Sequence, residues 1–129
     1  MEEKRLSLTE AEWRVMECLW EKSPRIGREL TEELGKSCGW SRSTTLTLLR
    51  RLEAKGTVGS GDEKGVKTFL PLLSREDAAL GETEDLLSRV YRGSLSLLVS
   101  SFTEKRELSR QELDELHAIL KGLEEDRDA

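Results

Sequence analysis

A capped helix followed at once by a hairpin, over residues 40–70, constrains this chain more than any other feature. Ser41 lies where an N-cap belongs, so the helix is predicted to begin at Arg42. Lys55 and Gly56 end it, because a cation suits the negative pole of a helix and glycine tolerates the left-handed geometry of a C-cap. The chemistry of both ends therefore predicts a helix over residues 42–55.

This predicted helix has one apolar stripe and one basic, hydroxyl-rich face. The buried stripe consists of Thr45, Leu48, Leu49 and Leu52, which recur at helical spacing. The outward positions are Arg42, Ser43, Leu46, Thr47, Arg50 and Arg51. No carboxylate precedes Glu53 in the helix, so the exposed face suits a polyanion.

Such a face is typical of a helix that contacts DNA. Hydroxyl and methyl groups can meet base edges and thymine methyls, while arginines reach guanine or phosphate. The alternative is that these are ordinary solvated side chains, since exposed charges on a helix usually need no function. Threonine and leucine flanked by arginines favour DNA contact over this alternative.

The residues after Gly56 predict a β-hairpin. Thr57-Val58 and Thr68-Phe69-Leu70 contain β-branched or aromatic residues, and the GSGDEKG between them is dense in turn formers. Pro71 closes the second strand. The hairpin is therefore predicted to follow the helix directly, as a wing.

Two lysines, Lys64 and Lys67, lie at or beside the predicted hairpin tip. Long ammonium side chains there can reach phosphates in a neighbouring minor groove. Asp62 and Glu63 weaken this signal, and a merely solvated loop explains either lysine taken singly equally well. Both lysines are therefore candidate phosphate contacts.

The preceding residues predict a helical scaffold. Thr9 and Glu12 form a T-x-x-E capping box for a first helix, and Ser23-Pro24 stops that helix before a short extended step at Arg25-Ile26. A second helix is predicted from about Gly27 to Gly35. Helix, short strand, helix, helix and hairpin is the order of a winged helix-turn-helix. The fold class is therefore mainly α with a small β-hairpin.

The acidic charge of the chain is concentrated in its C-terminal part. The 129 residues carry a net charge of −5. Residues 1–72 hold 13 basic and 12 acidic side chains, net +1, whereas residues 73–129 hold 8 and 14, net −6. Residues 36–67 hold 7 and 3, net +4. A local basic patch matters more for a polyanionic partner than the overall charge.

Residues 73–129 predict a second, helical domain after a winged-helix domain of residues 1–72. Ser74-x-x-Asp77 and Ser109-x-x-Glu112 resemble capping boxes, and Gly93 is predicted to separate two helices. Short amphipathic helices with no companion layer would best bury their apolar stripes against a second copy; the rival interpretation is that they fold back on the winged helix. The predicted dimerisation residues are Leu87, Val90, Tyr91, Leu95, Leu98, Phe102, Leu113, Leu116, Ile119 and Leu120.

No pattern in the sequence predicts an active site. Cys18 and Cys38 have neither a further thiol nor a histidine at ligand spacing, and His117 has no partner for a triad or a metal. We therefore expect no enzyme activity, no metal and no cofactor. The absence of an apolar run or of a signal-peptide pattern at the N-terminus predicts a cytoplasmic protein without membrane insertion.

The chain resembles the BlaI/MecI type of penicillinase and methicillin-resistance repressors, a family that also includes copper-responsive repressors. The first-helix pattern is carried by Leu8-Thr9, Glu12, Val15-Met16 and Leu19-Trp20. The recognition-helix pattern is carried by Trp40-Ser41, Thr44, Thr47, Leu49, Arg51-Leu52 and Lys55-Gly56, and Tyr91, Gly93, Leu95, Leu108-Ser109 and Glu115-Leu116 continue the match. The resemblance implies a homodimeric repressor that binds a palindromic operator and blocks transcription of a resistance or stress operon.

The resemblance also assigns residues. It implies DNA contact by Arg42, Ser43, Thr44, Thr47 and Arg51, with Leu46 at a position that is often polar in the family. In β-lactam-responsive members an activated membrane zinc-protease sensor leads to cleavage of an Asn-Phe bond in the dimerisation region, and Ser101-Phe102 stands at that place here. Copper-responsive members carry C-terminal Cys-x-Cys motifs, which this chain lacks. The alternative function is a winged-helix module that binds another protein rather than a specific DNA sequence.

Overall fold

Six helices and three short antiparallel strands make up residues 7–128, the part of the chain that the computed structural model describes. They are α1 (Glu10–Glu21), β1 (Arg25–Ile26), α2 (Gly27–Cys38), α3 (Arg42–Lys55), β2 (Val58–Glu63), β3 (Val66–Pro71), α4 (Arg75–Tyr91), α5 (Leu95–Lys105) and α6 (Arg110–Asp128). Residues 1–6, on which the expectation of no signal peptide rests, and residue 129 lie outside the described residues. The predicted fold class, a mainly helical chain with a small β-hairpin, is confirmed.

The capping chemistry predicted from the sequence is present at the ends of α1 and α3. The Thr9 hydroxyl accepts a hydrogen bond from the Glu12 amide at 3.1 Å, and the Glu12 carboxylate accepts one from the Thr9 amide at 2.9 Å. Ser41 accepts from the amide of Thr44 at 3.2 Å, and Gly56 ends α3 in the left-handed conformation. Both helices therefore begin and end where local chemistry places them.

Helix α2 is longer than predicted. It continues through Gly35 to Cys38 and ends at Gly39, whose φ of 70° is left-handed. Glycine within a helix is tolerated at a modest cost, whereas a positive φ at the C-cap strongly favours it. The helix therefore ends at Gly39 rather than at Gly35.

The three strands form one sheet in the order β1-β3-β2. The strands β2 and β3 form the wing, residues 58–71, and pair from Val58 with Pro71 to Glu63 with Val66. The GSGDEKG segment, predicted as a turn, is mostly strand, and only Lys64 and Gly65 form the reversal. Both have positive φ, 53° and 83°, as a two-residue hairpin turn requires.

One apolar core joins α1, α2, α3 and the sheet. Its fully buried members include Val15, Met16, Leu19, Leu30, Leu34, Leu49 and Leu52. Trp20 also makes a polar contact: its indole Nε1 donates a hydrogen bond to the carbonyl of Leu73 at 2.8 Å. This bond joins the chain leaving β3 to α1, and Trp13, Trp20 and Trp40 are partly buried against the core.

The first turns of α4 belong to the winged helix. Ala78 is buried there, Arg75 pairs with Glu17 of α1 at 2.9 Å, and the Glu82 carboxylate accepts from the amide of Leu8 at 3.2 Å. The contacts divide the chain between Asp85 and Leu86, later than the boundary predicted after Leu72. The start of α4 therefore packs on the winged helix.

The second unit begins at Leu86 and contains the rest of α4, then α5 and α6. Gly93, with a φ of 80°, separates α4 from α5 as predicted, and Ser109 caps α6. Within residues 95–128 as described, no side chain of α5 or α6 is fully buried. The exposed apolar side chains are Leu86, Val90, Leu95, Leu97, Val99, Phe102, Leu116, Ile119, Leu120 and Leu123.

Candidate nucleic-acid interface

Helix α3 presents its N-terminal turn as a cluster of hydroxyls. Ser41 Oγ lies 3.1 Å from Ser43 Oγ and 3.0 Å from Thr44 Oγ1, and all three side chains are exposed. Free amides of a helix N-terminus and neighbouring hydroxyls are donors to phosphate oxygens and base acceptors. This end of the helix can therefore hydrogen-bond to an anionic groove.

The two faces of α3 divide as the sequence predicted. Thr45, Leu48, Leu49 and Leu52 are buried. The side chains of Arg42, Ser43, Thr44, Thr47, Arg50 and Arg51 are exposed. Ser43, Thr44, Thr47, Leu48 and Arg51 line a shallow concavity on this helix. Their positions on one exposed face make simultaneous contact with one duplex geometrically feasible.

Leu46, which the sequence predicts on that face, is less exposed than its neighbours there. Its side chain is half-buried and packs against the core, and Cδ2 lies 3.7 Å from where a Cβ on Gly27 would be. Gly27 begins α2, so the leucine lies at van der Waals distance from the start of that helix. Leu46 therefore supports the packing of α2 on α3 as much as it borders the exposed face.

The wing carries Lys64 at its turn. The Asp62 carboxylate accepts a hydrogen bond from the amide of Gly65 at 2.8 Å, which holds the turn closed. Asp62, counted from the sequence as a weak argument against phosphate contact, thus has a structural role in the hairpin. Lys64 is exposed and projects from the tip region, so it remains a candidate phosphate contact.

Lys67 is engaged within the protein. Its Nζ lies 3.1 Å from Glu53 Oε1 of α3 and 5.2 Å from the centre of the Phe69 ring. Lys67, a candidate phosphate contact from the sequence, is an ion-paired residue of β3, because the sheet brings it next to the last turns of α3. The sequence did not predict that Glu53 pairs with a wing residue. It stood out there only as the first carboxylate of the helix.

A second polar cluster, away from α3, is formed by Cys18 of α1, Arg25 of β1 and Glu33 of α2. The Arg25 guanidinium donates to Glu33 at 2.7 Å, and the Cys18 thiol donates to the same carboxylate. These hydrogen bonds, from Cys18 and then Arg25, hold the pKa of the Glu33 carboxyl below its ordinary value. Burial first, and then the Glu33 hydrogen bond, raises the pKa of Cys18 to about 12.

Cys18 is therefore expected to resist thiol reagents in the folded protein. At pH 8 a disulfide reagent such as Ellman's should titrate Cys38, which is half-exposed, and should reach Cys18 only after unfolding. The count of fast thiols per native chain measures this, with Cys38→Ser as the control that removes the fast phase. Rapid reaction of two thiols in the native protein would contradict the assignment.

The described residues offer neither a metal site nor a membrane span. Between residues 7 and 128, no three histidine, cysteine or acidic side chains are placed to share a metal ion. In the same range no helix is long and apolar enough to cross a bilayer. The shallow face of α3 and the wing remain the part of this structure arranged for a charged partner.

Comparison with known proteins gives matches over nearly the whole chain. The family model described as penicillinase repressor matches residues 8–122. The methicillin resistance regulatory protein MecI of Staphylococcus aureus strain N315 is 31% identical over 120 residues, which cover 93% of this chain and 98% of the relative. The penicillinase repressor of Bacillus licheniformis is 34% identical over 113 residues, 88% of each chain.

Two solved structures of the repressor BlaI match somewhat more than half of this chain. The monomeric form of Bacillus licheniformis BlaI in complex with the blaP half-operator has a TM-score of 0.52 and 32% identity, and the match covers 57% of this chain and 90% of that one. The DNA-binding domain of the repressor BlaI gives the same TM-score and identity over 59% of this chain and 93% of that domain. The winged-helix fold predicted from the sequence is confirmed.

Proposed function

Because the chain belongs to the penicillinase repressor family, we propose that it is a homodimeric transcriptional repressor that binds a palindromic operator. The observation that carries this proposal is the exposed face of α3. Arg42, Arg50 and Arg51 surround exposed hydroxyls there, and no carboxylate precedes Glu53 in the helix. A protein-interaction module could bind its partner through the same face. That alternative does not explain why the charged side chains on this face before Glu53 are all basic.

The roles follow from the geometry of winged-helix proteins on DNA. In that geometry α2 crosses the DNA backbone, and the recognition helix, α3, enters the major groove with its N-terminal residues at base edges. Ser43, Thr44 and Thr47 would then face bases, Arg42, Arg50 and Arg51 would reach guanine or phosphate, and Lys64 would meet the backbone beside the wing. Leu46 borders this contact.

The partner that completes the repressor is a second copy of the chain. The exposed side chains of Leu95, Phe102, Ile119 and Leu120 are each about half or more accessible in one chain. Apolar surface of this extent on α5 and α6 is stabilised by burial against another protein surface. An isologous pair also supplies two recognition helices for the two halves of a palindrome.

The test is binding of the purified chain to DNA from upstream of its own gene, compared with a shuffled duplex of equal length. We expect specific binding whose affinity falls steeply with salt, because counterions are released from the phosphates. If the protein-interaction alternative is right, neither duplex will be retained at low salt and a protein partner will be needed for any complex.

Arg51→Ala should weaken operator binding by about 1 to 3 kcal/mol, because a bidentate arginine contact to guanine is lost. The loss should be concentrated on operator DNA, with a smaller loss on the shuffled duplex. Fluorescence anisotropy at fixed salt measures both. The control is Arg110→Ala, which removes the same charge from α6, where Arg110 pairs with Asp114. Equal affinities for Arg51→Ala and the wild type would contradict the assigned contact.

We also propose that proteolysis of the repressor releases it from DNA. A membrane sensor metalloprotease would be the partner, and Ser101-Phe102 the bond that is cut in the cytoplasm. This bond lies inside α5, and the Phe102 ring is covered by the Arg106 guanidinium at 5.1 Å. A protease binds extended backbone, so cutting here requires local opening of α5.

A further inference from the structure

The ion pair between α3 and the wing joins the two elements that are proposed to touch DNA. Lys67 Nζ lies 3.1 Å from Glu53 Oε1, and the side chains are 57% and 27% exposed. The same ammonium lies over the Phe69 ring at 5.2 Å, and Asp62 faces Lys67 across the hairpin. Lys67 thus contacts a carboxylate of α3 and an aromatic ring of its own strand, and it has a second acidic residue opposite it in the hairpin.

These contacts remove one positive charge from the surface that would meet the phosphates. Glu53 is the first acidic residue of α3, so it also brings a negative charge to the end of the otherwise basic helix. A lysine neutralised by a carboxylate releases no counterion when DNA approaches, whereas a free lysine at a phosphate releases about one. The pair is partly exposed, so it contributes little to stability and either partner can be replaced without unfolding the protein.

We propose that Glu53 limits the affinity of this protein for DNA by holding Lys67 away from the phosphate backbone. The proposal rests on the proposed function. Glu53 contacts no base in this proposal, because it acts only through Lys67. Its effect on affinity is therefore the same for any sequence of double-stranded DNA. Its consequence is that the protein leaves non-operator DNA more readily, while base contacts from α3 retain the operator.

The experiment measures how the affinity of the full chain depends on salt for operator and shuffled duplexes. Glu53→Gln keeps the shape of the side chain and removes its charge. We expect it to bind both duplexes about 3- to 10-fold more tightly at low salt, with a slope of log affinity against log salt steeper by about 0.9. The ratio of the two affinities at one salt concentration should change little.

A double-mutant cycle separates release of Lys67 from a general change in charge. Lys67→Gln in the wild-type background should have little effect, whereas in the Glu53→Gln background it should remove the gain in affinity and slope. The matched control is Glu63→Gln, which removes a carboxylate from the same wing. Its effect should be the same with and without Lys67.

An unchanged slope for Glu53→Gln, or a gain that survives Lys67→Gln, would overturn the proposal. Weaker binding by a folded Glu53→Gln would also overturn it, since Glu53 would then position Lys67 for contact with phosphate. Failure of the wild type and Glu53→Gln to bind either duplex at low salt would instead reject the proposed function. Circular dichroism of each variant establishes that it is folded.

Discussion

Replacing Lys55 by methionine should reduce the free energy of unfolding by about 3 to 5 kcal/mol, the cost of leaving a buried charge without its partner. The Glu12 carboxylate is 1% exposed, and its Oε1 lies 2.6 Å from Lys55 Nζ. Its other oxygen is buried and accepts no hydrogen bond from the described residues. Lys55 also donates to the carbonyl of Ser7 at 3.0 Å, so one ammonium joins the end of α3 to the start of α1.

The stability that the Glu12–Lys55 ion pair contributes depends on pH, and the pKa of Glu12 gives the sign of this dependence. Burial raises the pKa of the Glu12 carboxyl, but hydrogen bonds and charge from Lys55, with those from Thr9, outweigh it and leave the pKa below the ordinary 4.5. A lowered pKa contributes stability that is present above the unfolded value, and that is lost as the pH falls through the folded one. In Lys55→Met the lowering effect of the ammonium on the pKa of Glu12 is lost, and the raising effect of burial remains. Acidification then protonates Glu12 and removes the unpaired buried charge.

Urea unfolding of both proteins at neutral pH and near pH 4, at one fixed protein concentration, measures the effect. We expect the deficit of Lys55→Met to shrink on acidification and to be partly recovered at neutral pH by adding Glu12→Gln. Lys36→Met, at an exposed position in the last turn of α2, is the control and should cost less than about 1 kcal/mol. A deficit that is the same at both pH values would show that Glu12 is not the group responsible.

The double change Leu116→Glu and Leu120→Glu should separate the dimer and weaken operator binding about 100-fold or more, because linking two binding heads raises the effective concentration of the second. Both leucines are exposed on α6, at 44% and 56%. They lie one helical turn apart, so the two carboxylates would enter the same apolar stripe. Glutamate is a good helix former, which limits the effect on α6 itself.

Sedimentation equilibrium at micromolar concentrations gives the dimer dissociation constant, and anisotropy on the palindrome gives the affinity. His117→Glu with Lys121→Glu is the matched control: the spacing on α6 is the same, the added negative charge is at least as large, and the positions lie on the exposed polar stripe. The control should remain dimeric. A fully dimeric Leu116→Glu/Leu120→Glu protein would exclude α6 from the interface.

Local chemistry predicted much of this structure because it acts between near neighbours. The Thr9–Glu12 box, the Ser41 cap and the Gly56 stop each involve residues within one turn, and all were correct. The ion pair of Lys67 could not be predicted because its partner, Glu53, is 14 residues away and only the sheet brings the two together. The partial burial of Leu46 could not be predicted from α3 alone, because it depends on packing against residues outside that helix.

The longer wing and the later unit boundary have the same origin. Residues 59–63 are glycine-rich and acidic, which predicts a turn, but pairing with β3 satisfies their backbone and extends the strand. The start of α4 packs on α1 through Arg75, Ala78 and Glu82, contacts that cross many residues of sequence. The division into a DNA-binding and a dimerisation domain stays a prediction that the α6 variants test.

The most direct test of the central claim is the stoichiometry of the complex on the palindrome from upstream of the gene. Sedimentation of the labelled duplex with increasing protein should give two chains per palindrome, and the complex should dissociate as salt rises from about 50 to 200 mM. A duplex with one half inverted should lose the tight two-chain complex. Absence of any complex at low salt, or identical binding to a shuffled duplex, would contradict a dimeric operator-binding repressor.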